Sequence, residues 1–294
     1  MRGRRALLLD PRVRFATLVG PGALFIVLFL LIPLVSIVVF SFWRTESYEL
    51  ISDWNVDNYE AVLGEWIYLK FLLKSLAMAA AVSAICLVYA WPCAYLIAKH
   101  GGRYKLVLVL LTAAPFLTGI LLRITAMQQI LGPIGLVNMA LMELGAQPIQ
   151  VLMYTNIASA VGLIYLWIPF MLLAIYLSLF NFNFELLEVA KVNGARPWRA
   201  FFEVTWPLNW MGTAIGIVLV FIPTFAASVT PRFLGGPDGS MFVNRLEHQF
   251  GSAGTWALGS AMGVVMCVAS LAVIFVLWRT VRLRRAGFTG AGAA

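Results

Sequence analysis

Long runs of apolar residues dominate the chain, and short polar segments separate them. Six of these runs are close to or above the roughly 20 residues that a helix needs to cross a bilayer. Backbone groups in lipid must bond within their own segment, and the alternating ten-residue pattern of a membrane barrel is missing, so each run is predicted to be helical. The pattern predicts one all-α transmembrane domain over residues 1–294, with spans at about 15–42, 75–98, 106–124, 157–180, 208–229 and 256–278.

The composition agrees with a bilayer as solvent. Hydrophobic residues make up 62% of the chain and charged residues only 12%, whereas a soluble domain carries about 25% charged residues. The three cysteines, Cys86, Cys93 and Cys267, all lie inside apolar runs. That placement and the odd number argue against a disulfide framework and against a cysteine-rich metal site.

Basic residues collect next to alternate ends of the predicted spans. Lys and Arg in short loops stay on the cytoplasmic side, which predicts a multi-pass membrane protein with both termini in the cytoplasm. The net charge of +8 is explained by this anchoring, so no nucleic-acid partner is expected. The basic groups assigned to the inner side are Arg2, Arg4, Arg5, Arg12 and Arg14; Lys99, Arg103 and Lys105; Lys191, Arg196 and Arg199; and Arg279, Arg282, Arg284 and Arg285.

Motifs for catalysis and for nucleotide binding are absent from the sequence. There is no G-x-x-x-x-G-K-[ST] phosphate loop, no G-x-S-x-G and no H-E-x-x-H. The two histidines, His100 and His248, are predicted on opposite sides of the membrane and cannot share a metal. We therefore expect no catalytic residues, no metal site and no cofactor on this chain.

The polar segment between the fourth and fifth spans carries the most specific local signals. Asn183 can cap a helix whose first turn contains Glu185. Gly194 suits the left-handed residue that ends a helix, and Pro197 suits the first turn of the next one. The segment is thus predicted to form two short helices that meet at a glycine turn. Such short helices need a partner surface to be stable.

The spacing in this segment resembles the signature E-A-A-x3-G-x9-I-x-L-P of the permease subunits of binding-protein-dependent ABC importers of type I. Glu188, Ala190, Gly194 and Pro207 match it at the right intervals, while Val189, Val204 and Trp206 depart from it by apolar exchanges. The resemblance extends from the first span to Trp278. It is closest to permeases of the spermidine and putrescine type, to which the segment Leu234–Asp238 is also similar.

The resemblance implies that the loop 183–207 is a coupling helix region that docks on a subunit that hydrolyses ATP. It implies four kinds of partner: a second, homologous permease, two ATP-binding subunits that hold the ATP and Mg, a solute-binding protein outside, and the lipid bilayer. The same sequence leaves open whether the permease pair is a heterodimer or a homodimer. The residues implied in coupling are Glu185, Leu187, Glu188, Ala190, Lys191, Asn193, Gly194, Ala195 and Arg196.

The solute is less well defined than the family. Polyamine permeases have a carboxylate at the position of Ala227, and this chain lacks it. A neutral, zwitterionic or anionic solute therefore remains an alternative to a polyamine, and a secondary transporter or channel without an ATPase is a more remote one. Candidate residues of the solute path, each of which can also serve in helix packing, are Trp91, Arg123, Thr224, Phe225, Ser228 and Arg232.

Overall fold

The computed structural model describes residues 11–149 and 152–290, and these residues are mostly helical. Arg2, Arg4 and Arg5, which the charge pattern assigns to the inner side, lie outside the described residues. The chain divides into two units, one formed by residues up to Trp66 together with Leu246–Val268, the other by Ile67–Arg245 and the chain from Ala269 onward. Each unit is described by itself below.

The first unit contains one long apolar helix and a small segment with two short strands and a helix. Its elements are α1 (Pro11–Ile26), a π-helical turn (Val27–Leu31), α2 (Ile32–Phe40), β1 (Arg44–Glu46), β2 (Glu49–Ile51) and α3 (Asp57–Gly64), with the end of α15 (Phe242–Phe250) and the start of α16 (Trp256–Gly290). The two strands pair antiparallel around Ser47 and Tyr48, both of which have positive φ. Large apolar side chains on the long helix, such as Phe29 at 68% exposure, face outward, as expected for contact with lipid.

The second unit contains the larger part of the bundle. Its elements are α4 (Trp66–His100), a 3-10 turn (Gly102–Tyr104), α5 (Lys105–Ala113), a second 3-10 turn (Ala114–Leu117), α6 (Ile120–Leu131), α7 (Leu136–Glu143), α8 (Asn156–Phe180), α9 (Glu185–Val192), α10 (Pro197–Ala200), a π-helical turn (Phe201–Thr205), α11 (Trp206–Leu208), α12 (Trp210–Phe225), α13 (Val229–Leu234), α14 (Gly236–Gly239) and the start of α15. Its core lies among α4, α8 and α12.

Glycine allows α8 and α12 to approach closely. A Cβ added to Gly212 would lie 2.2 Å from Cβ of Ser178, and one added to Gly216 would lie 2.7 Å from the sulfur of Met171. Two small residues one turn apart are the usual device for close packing of membrane helices. The two glycines therefore serve the packing of α8 against α12.

The prediction of an all-α protein with about six spans is confirmed, with two local changes. Among the described residues, five helices are long and apolar enough to cross a membrane, and a sixth span results if Pro197–Leu208 and Trp210–Phe225, which meet at 72°, count as one. The predicted third span, 106–124, is not one helix. Pro115 is the second residue of the 3-10 turn Ala114–Leu117, Thr118 and Gly119 are extended, and the next helix starts only at Ile120. A proline lacks the N–H that a continuing helix would use, so the stretch breaks there.

Candidate functional site

The loop between α8 and α12 forms the two short helices that the sequence predicts. The Oδ1 atom of Asn183 accepts a hydrogen bond of 2.9 Å from the backbone N–H of Glu185, at the start of α9. In the same helix, Lys191 Nζ donates to Glu188 Oε1 at 2.8 Å. This bond lowers the pKa of Glu188 and raises that of Lys191. The pair is solvent-exposed, so it orients the two side chains more than it stabilises the fold.

The end of α9 is a Schellman turn built on Gly194. Gly194 has φ of +79°, its N–H donates to the carbonyl of Lys191, and the N–H of Ala195 reaches back to the carbonyl of Ala190. These are the two backbone bonds that define this helix ending, and the left-handed residue between them favours glycine. The turn lets the chain restart at Pro197 in α10 with a fixed change of direction.

The residues assigned to coupling lie on two sides of α9, one packed against the protein and one exposed. Leu187 is only 4% exposed and faces the protein, so it anchors the helix and does not belong to the open surface. Apolar side chains that do lie open are Leu186, Val189 and Val192, of which Val192 is 88% exposed. Of the other coupling residues, Glu185, Glu188, Lys191, Asn193, Gly194 and Arg196 are exposed, and Ala190 and Ala195 are half-buried.

An aromatic cluster connects this loop with α4. The ring of Trp91 lies 5.0 Å from Phe201 in an edge contact and 5.4 Å from Trp206 in a stacked one. Trp91 is 3% exposed, and its indole N–H donates to the hydroxyl of Thr213. Trp91, one of the candidate residues of the solute path, is thus packed against Phe201 and Trp206 in this structure. Its position makes it a link between the loop and the bundle.

Asn209, which the sequence analysis did not single out, sits at the bend between α11 and α12. Its Nδ2 donates to the carbonyl of Thr205 at 2.9 Å, and its Oδ1 accepts from Ser178 of α8 at 3.0 Å. Asn209 is 2% exposed. The signal that could have identified Asn209 is a single amide side chain in an apolar span, two residues after Pro207. A buried amide is expected to have hydrogen-bond partners.

The second candidate region lies where α12 ends. Residues 226–228 are not helical, and a cavity of about 200 Å³ opens beside them. Its lining includes Trp167, Pro223, Ala227 and Ser228. The buried indole nitrogen of Trp167 has no hydrogen-bond partner among the described residues. Sequence reasoning missed Trp167, because one aromatic residue in an apolar span carries no distinguishing signal.

The predicted solute-path residues are not all brought to this cavity. Ser228 lines it, whereas Thr224 and Phe225 are fully buried, with Phe225 stacked on Phe221. Arg123 is half-buried, and its guanidinium carbon lies 5.2 Å from the ring centroid of Phe116. Arg232 is exposed on α13. Of the two functions open to Thr224 and Phe225, their burial in this structure favours helix packing.

Within residues 11–149 and 152–290, no group of three His, Cys, Asp or Glu side chains is arranged to hold a metal ion.

Comparisons with known proteins agree with this geometry. The chain is 31% identical over 261 residues to the spermidine/putrescine transport system permease protein PotB of Haemophilus influenzae, covering 88% of this chain and 91% of that protein. It is 30% identical over 270 residues to PotB of Escherichia coli K12, covering 91% of this chain and 96% of that protein. No family model matches the chain.

A solved structure shares the fold at low sequence identity. The bacterial alginate ABC transporter in complex with alginate pentasaccharide-bound periplasmic protein contains a chain that superposes with a TM-score of 0.73 at 15% identity, covering 94% of this chain and 96% of that one. At this identity the likeness concerns the fold alone. Together with the relatives, it identifies the chain as a member of the permease subunits of binding-protein-dependent ABC importers, multi-pass proteins of the inner membrane.

Proposed function

We propose that this chain is the non-catalytic, membrane-spanning half of an importer whose energy comes from ATP hydrolysed on two partner subunits. The observation that carries the proposal is the geometry of α9, with its Glu188–Lys191 pair, its Schellman turn at Gly194 and its open side formed by Leu186, Val189 and Val192. A short helix with one buried anchor and one exposed apolar side fits helix-in-groove recognition. ATP, Mg and the hydrolytic residues belong to the ATPase partners in this proposal.

The open surface continues beyond α9. Trp198 is 76% exposed and Phe202 59% exposed, and their rings stack at 6.2 Å. Exposed aromatic residues beside a charged helix are typical anchors of a protein interface. We assign the ATPase contact to α9, and movement of the ATPase subunits then displaces the loop and rocks the spans between inward and outward access.

Two substitutions test this assignment. Reversal of charge by Glu188→Lys places two ammonium groups side by side, and Gly194→Pro removes both the left-handed φ and the N–H that donates to Lys191. Both variants are expected to abolish ATP-driven uptake while the chain still inserts into the membrane. Glu60→Lys in the exposed part of α3 is the matched charge reversal and is expected to leave coupling intact. Normal uptake by both loop variants would refute the coupling assignment.

For the solute, we propose a polyamine or related organic cation. The support is that relatives which match about nine tenths of this chain carry spermidine and putrescine in their names. One observation favours a second candidate, a neutral, zwitterionic or anionic solute: Ala227 lines the cavity beside α12, and no carboxylate does. A cation in an apolar site needs a compensating charge, which in the polyamine proposal comes from the second permease.

Binding to the solute-binding protein separates these candidates. A panel of spermidine, putrescine, amino acids and organic anions is titrated against that protein, and uptake by the reconstituted importer is then measured for each ligand that binds. Preference for spermidine or putrescine supports the polyamine proposal. Preference for an anion, with no uptake of polyamines, replaces it by the second candidate.

The orientation and the remaining partners are also proposals. Lys and Arg residues are concentrated at the C-terminal end of α4, in and after α9, and at the end of α16. This distribution supports a cytoplasmic position for these segments and for both chain termini. A solute-binding protein outside and a second, homologous permease complete the assembly, and the alginate transporter above was solved with its periplasmic protein bound. Protease cleavage at a site inserted beside Arg103, in sealed spheroplasts and in inverted vesicles, tests the orientation. Cleavage only in inverted vesicles is expected.

A further inference from the structure

A cavity of about 270 Å³ lies between the inner end of α4 and the coupling loop. Tyr95 and Lys99 of α4 form one wall, Leu187 and Lys191 of α9 a second, and Trp198 and Thr205 belong to the rest of the lining. The solute path described above does not include these residues.

The polar side chains of this cavity include two ammonium groups, which only donate hydrogen bonds, and two hydroxyls, which can donate or accept. Lys99 Nζ donates to the hydroxyl of Tyr95 at 3.2 Å, and no ion pair joins Lys99 to a carboxylate among the described residues. Lys191 is paired with Glu188, so the two lysines and one glutamate leave one positive charge uncompensated. Thr205 is 1% exposed, and its hydroxyl has no hydrogen-bond partner within the described part of the chain. An anion with several acceptor oxygens fits this set of donors.

The remainder of the lining is apolar. Leu187, Pro197, Phe201 and the exposed Trp198 contribute carbon surface next to the ammonium groups. A free inorganic anion would make no use of that surface. A phosphate that carries acyl chains would use both parts, and basic pockets between membrane helices on the cytoplasmic side are known to hold anionic headgroups.

We propose that this cavity binds the headgroup phosphate of an anionic phospholipid, with Lys99 and Lys191 as the cationic contacts and Pro197 and Phe201 against the glycerol and upper acyl region. The proposal rests on the proposed function only in placing this end of α4 at the membrane surface. A lipid held here touches both a transmembrane helix and the loop assigned to the ATPase. Membrane composition would then influence how firmly the loop is held against α4.

Lipid retention by the full chain tests the inference. The protein is purified in detergent, incubated with phosphatidylglycerol or with phosphatidylcholine, and examined by native mass spectrometry. Wild-type protein is expected to retain phosphatidylglycerol in preference to phosphatidylcholine. Lys99→Gln is expected to weaken retention about fivefold, the effect of one basic side chain near a membrane surface. Lys99→Arg, which keeps the charge, is expected to restore it.

Arg103→Gln is the matched control, because Arg103 is exposed near the same end of α4 but does not line the cavity. It removes the same charge and is expected to leave retention unchanged. Equal loss in Arg103→Gln and Lys99→Gln, or no loss in either, would overturn the proposal. The thermal midpoint of each lipid-free variant shows whether it has folded, and Thr205→Val, which removes the unpartnered hydroxyl, provides a second variant that is expected to weaken retention.

Competition with inorganic phosphate distinguishes the two sources of a phosphate group. If inorganic phosphate displaces phosphatidylglycerol at equal concentration, the site recognises a soluble anion and the lipid assignment is wrong. If phosphatidylglycerol persists, the apolar wall contributes as proposed. These measurements need neither ATP nor the ATPase subunits, so failure of the coupling assignment would leave their outcome unchanged.

Discussion

The indole nitrogen of Trp91 and the hydroxyl oxygen of Thr213 are 3.1 Å apart in the interior of the second unit. The Thr213 hydroxyl in turn donates a hydrogen bond to the backbone carbonyl of Asn209, also at 3.1 Å. A continuous set of hydrogen bonds thus runs from the middle of α4 to the bend at the start of α12. A buried donor that loses its acceptor is desolvated without a compensating hydrogen bond. Single substitutions in this set of hydrogen bonds are therefore expected to be destabilising.

Thr213→Val removes the acceptor of Trp91 while keeping the shape of the side chain. We expect a loss of about 1 kcal/mol in the free energy of unfolding, since side-chain hydrogen bonds between membrane helices contribute about that much. Thermal or denaturant unfolding in detergent measures it. Thr112→Val is the control, because Thr112 bonds only to the carbonyl of Val109 in its own helix. Equal effects of the two substitutions would contradict the importance of the link.

Gly212→Ala tests the close approach of α8 and α12. The added methyl would lie 2.2 Å from Cβ of Ser178, and such overpacking costs about 1–3 kcal/mol. We expect a lower thermal midpoint of the purified protein. Gly20→Ala in α1 provides the comparison, because an added Cβ there meets nothing within 4 Å. If Gly20→Ala lowers the thermal midpoint as much as Gly212→Ala does, steric overlap with Ser178 does not explain the effect at Gly212.

Gly194 tests the Schellman turn at the end of α9. A residue with a Cβ in the left-handed region costs about 1–2 kcal/mol, less for asparagine than for a β-branched residue. ATP-driven uptake is therefore expected to fall in the order glycine, asparagine, valine at position 194, with the amount of inserted protein unchanged. Open space around Gly194 removes steric contact as an explanation. Uptake by Gly194→Val equal to that by Gly194→Asn would show that the positive φ is not required.

The pH dependence of the Glu188–Lys191 pair follows from its two pKa shifts. The hydrogen bond from Lys191 lowers the pKa of Glu188 below 4.5, and the reciprocal bond raises that of Lys191 above 10.5. The contribution of the carboxylate is complete above its unfolded pKa and is lost as pH falls through the lowered one. That of the ammonium is complete below its unfolded pKa and is lost as pH rises through the raised one.

The pair is therefore fully ionised at neutral pH. We expect the ratio of uptake by wild type to uptake by Glu188→Gln to stay constant between about pH 6 and pH 9. Uptake into reconstituted vesicles at a series of pH values, with pH varied only on the side of the loop, measures the ratio. A ratio that changes steeply near pH 7 would assign the titration to another group.

Local signals in the sequence predicted the two short helices between α8 and α12 and the glycine turn between them. Asn183, Gly194 and Pro197 each act on the backbone within a few residues, so their effects are visible without knowledge of the fold. The break at Thr118 was missed because the apolar run continues through it, and hydropathy alone does not register a proline that ends a helix. The partners of Asn209 and Trp91 come from elements more than 30 residues away in sequence, and only tertiary packing brings them together.

The bend at Asn209 has a mechanical consequence. The Asn209 amide bonds to the turn on one side and to Ser178 of α8 on the other, and its backbone carbonyl accepts from Thr213. Three hydrogen bonds at one residue make the bend rigid, so a displacement of the turn changes direction at the bend and is not lost there. In the coupling proposed above, displacement of the short helices is transmitted to α12 through this bend. Loss of the Asn209 hydrogen bonds is then expected to leave ATP hydrolysis intact while solute uptake falls.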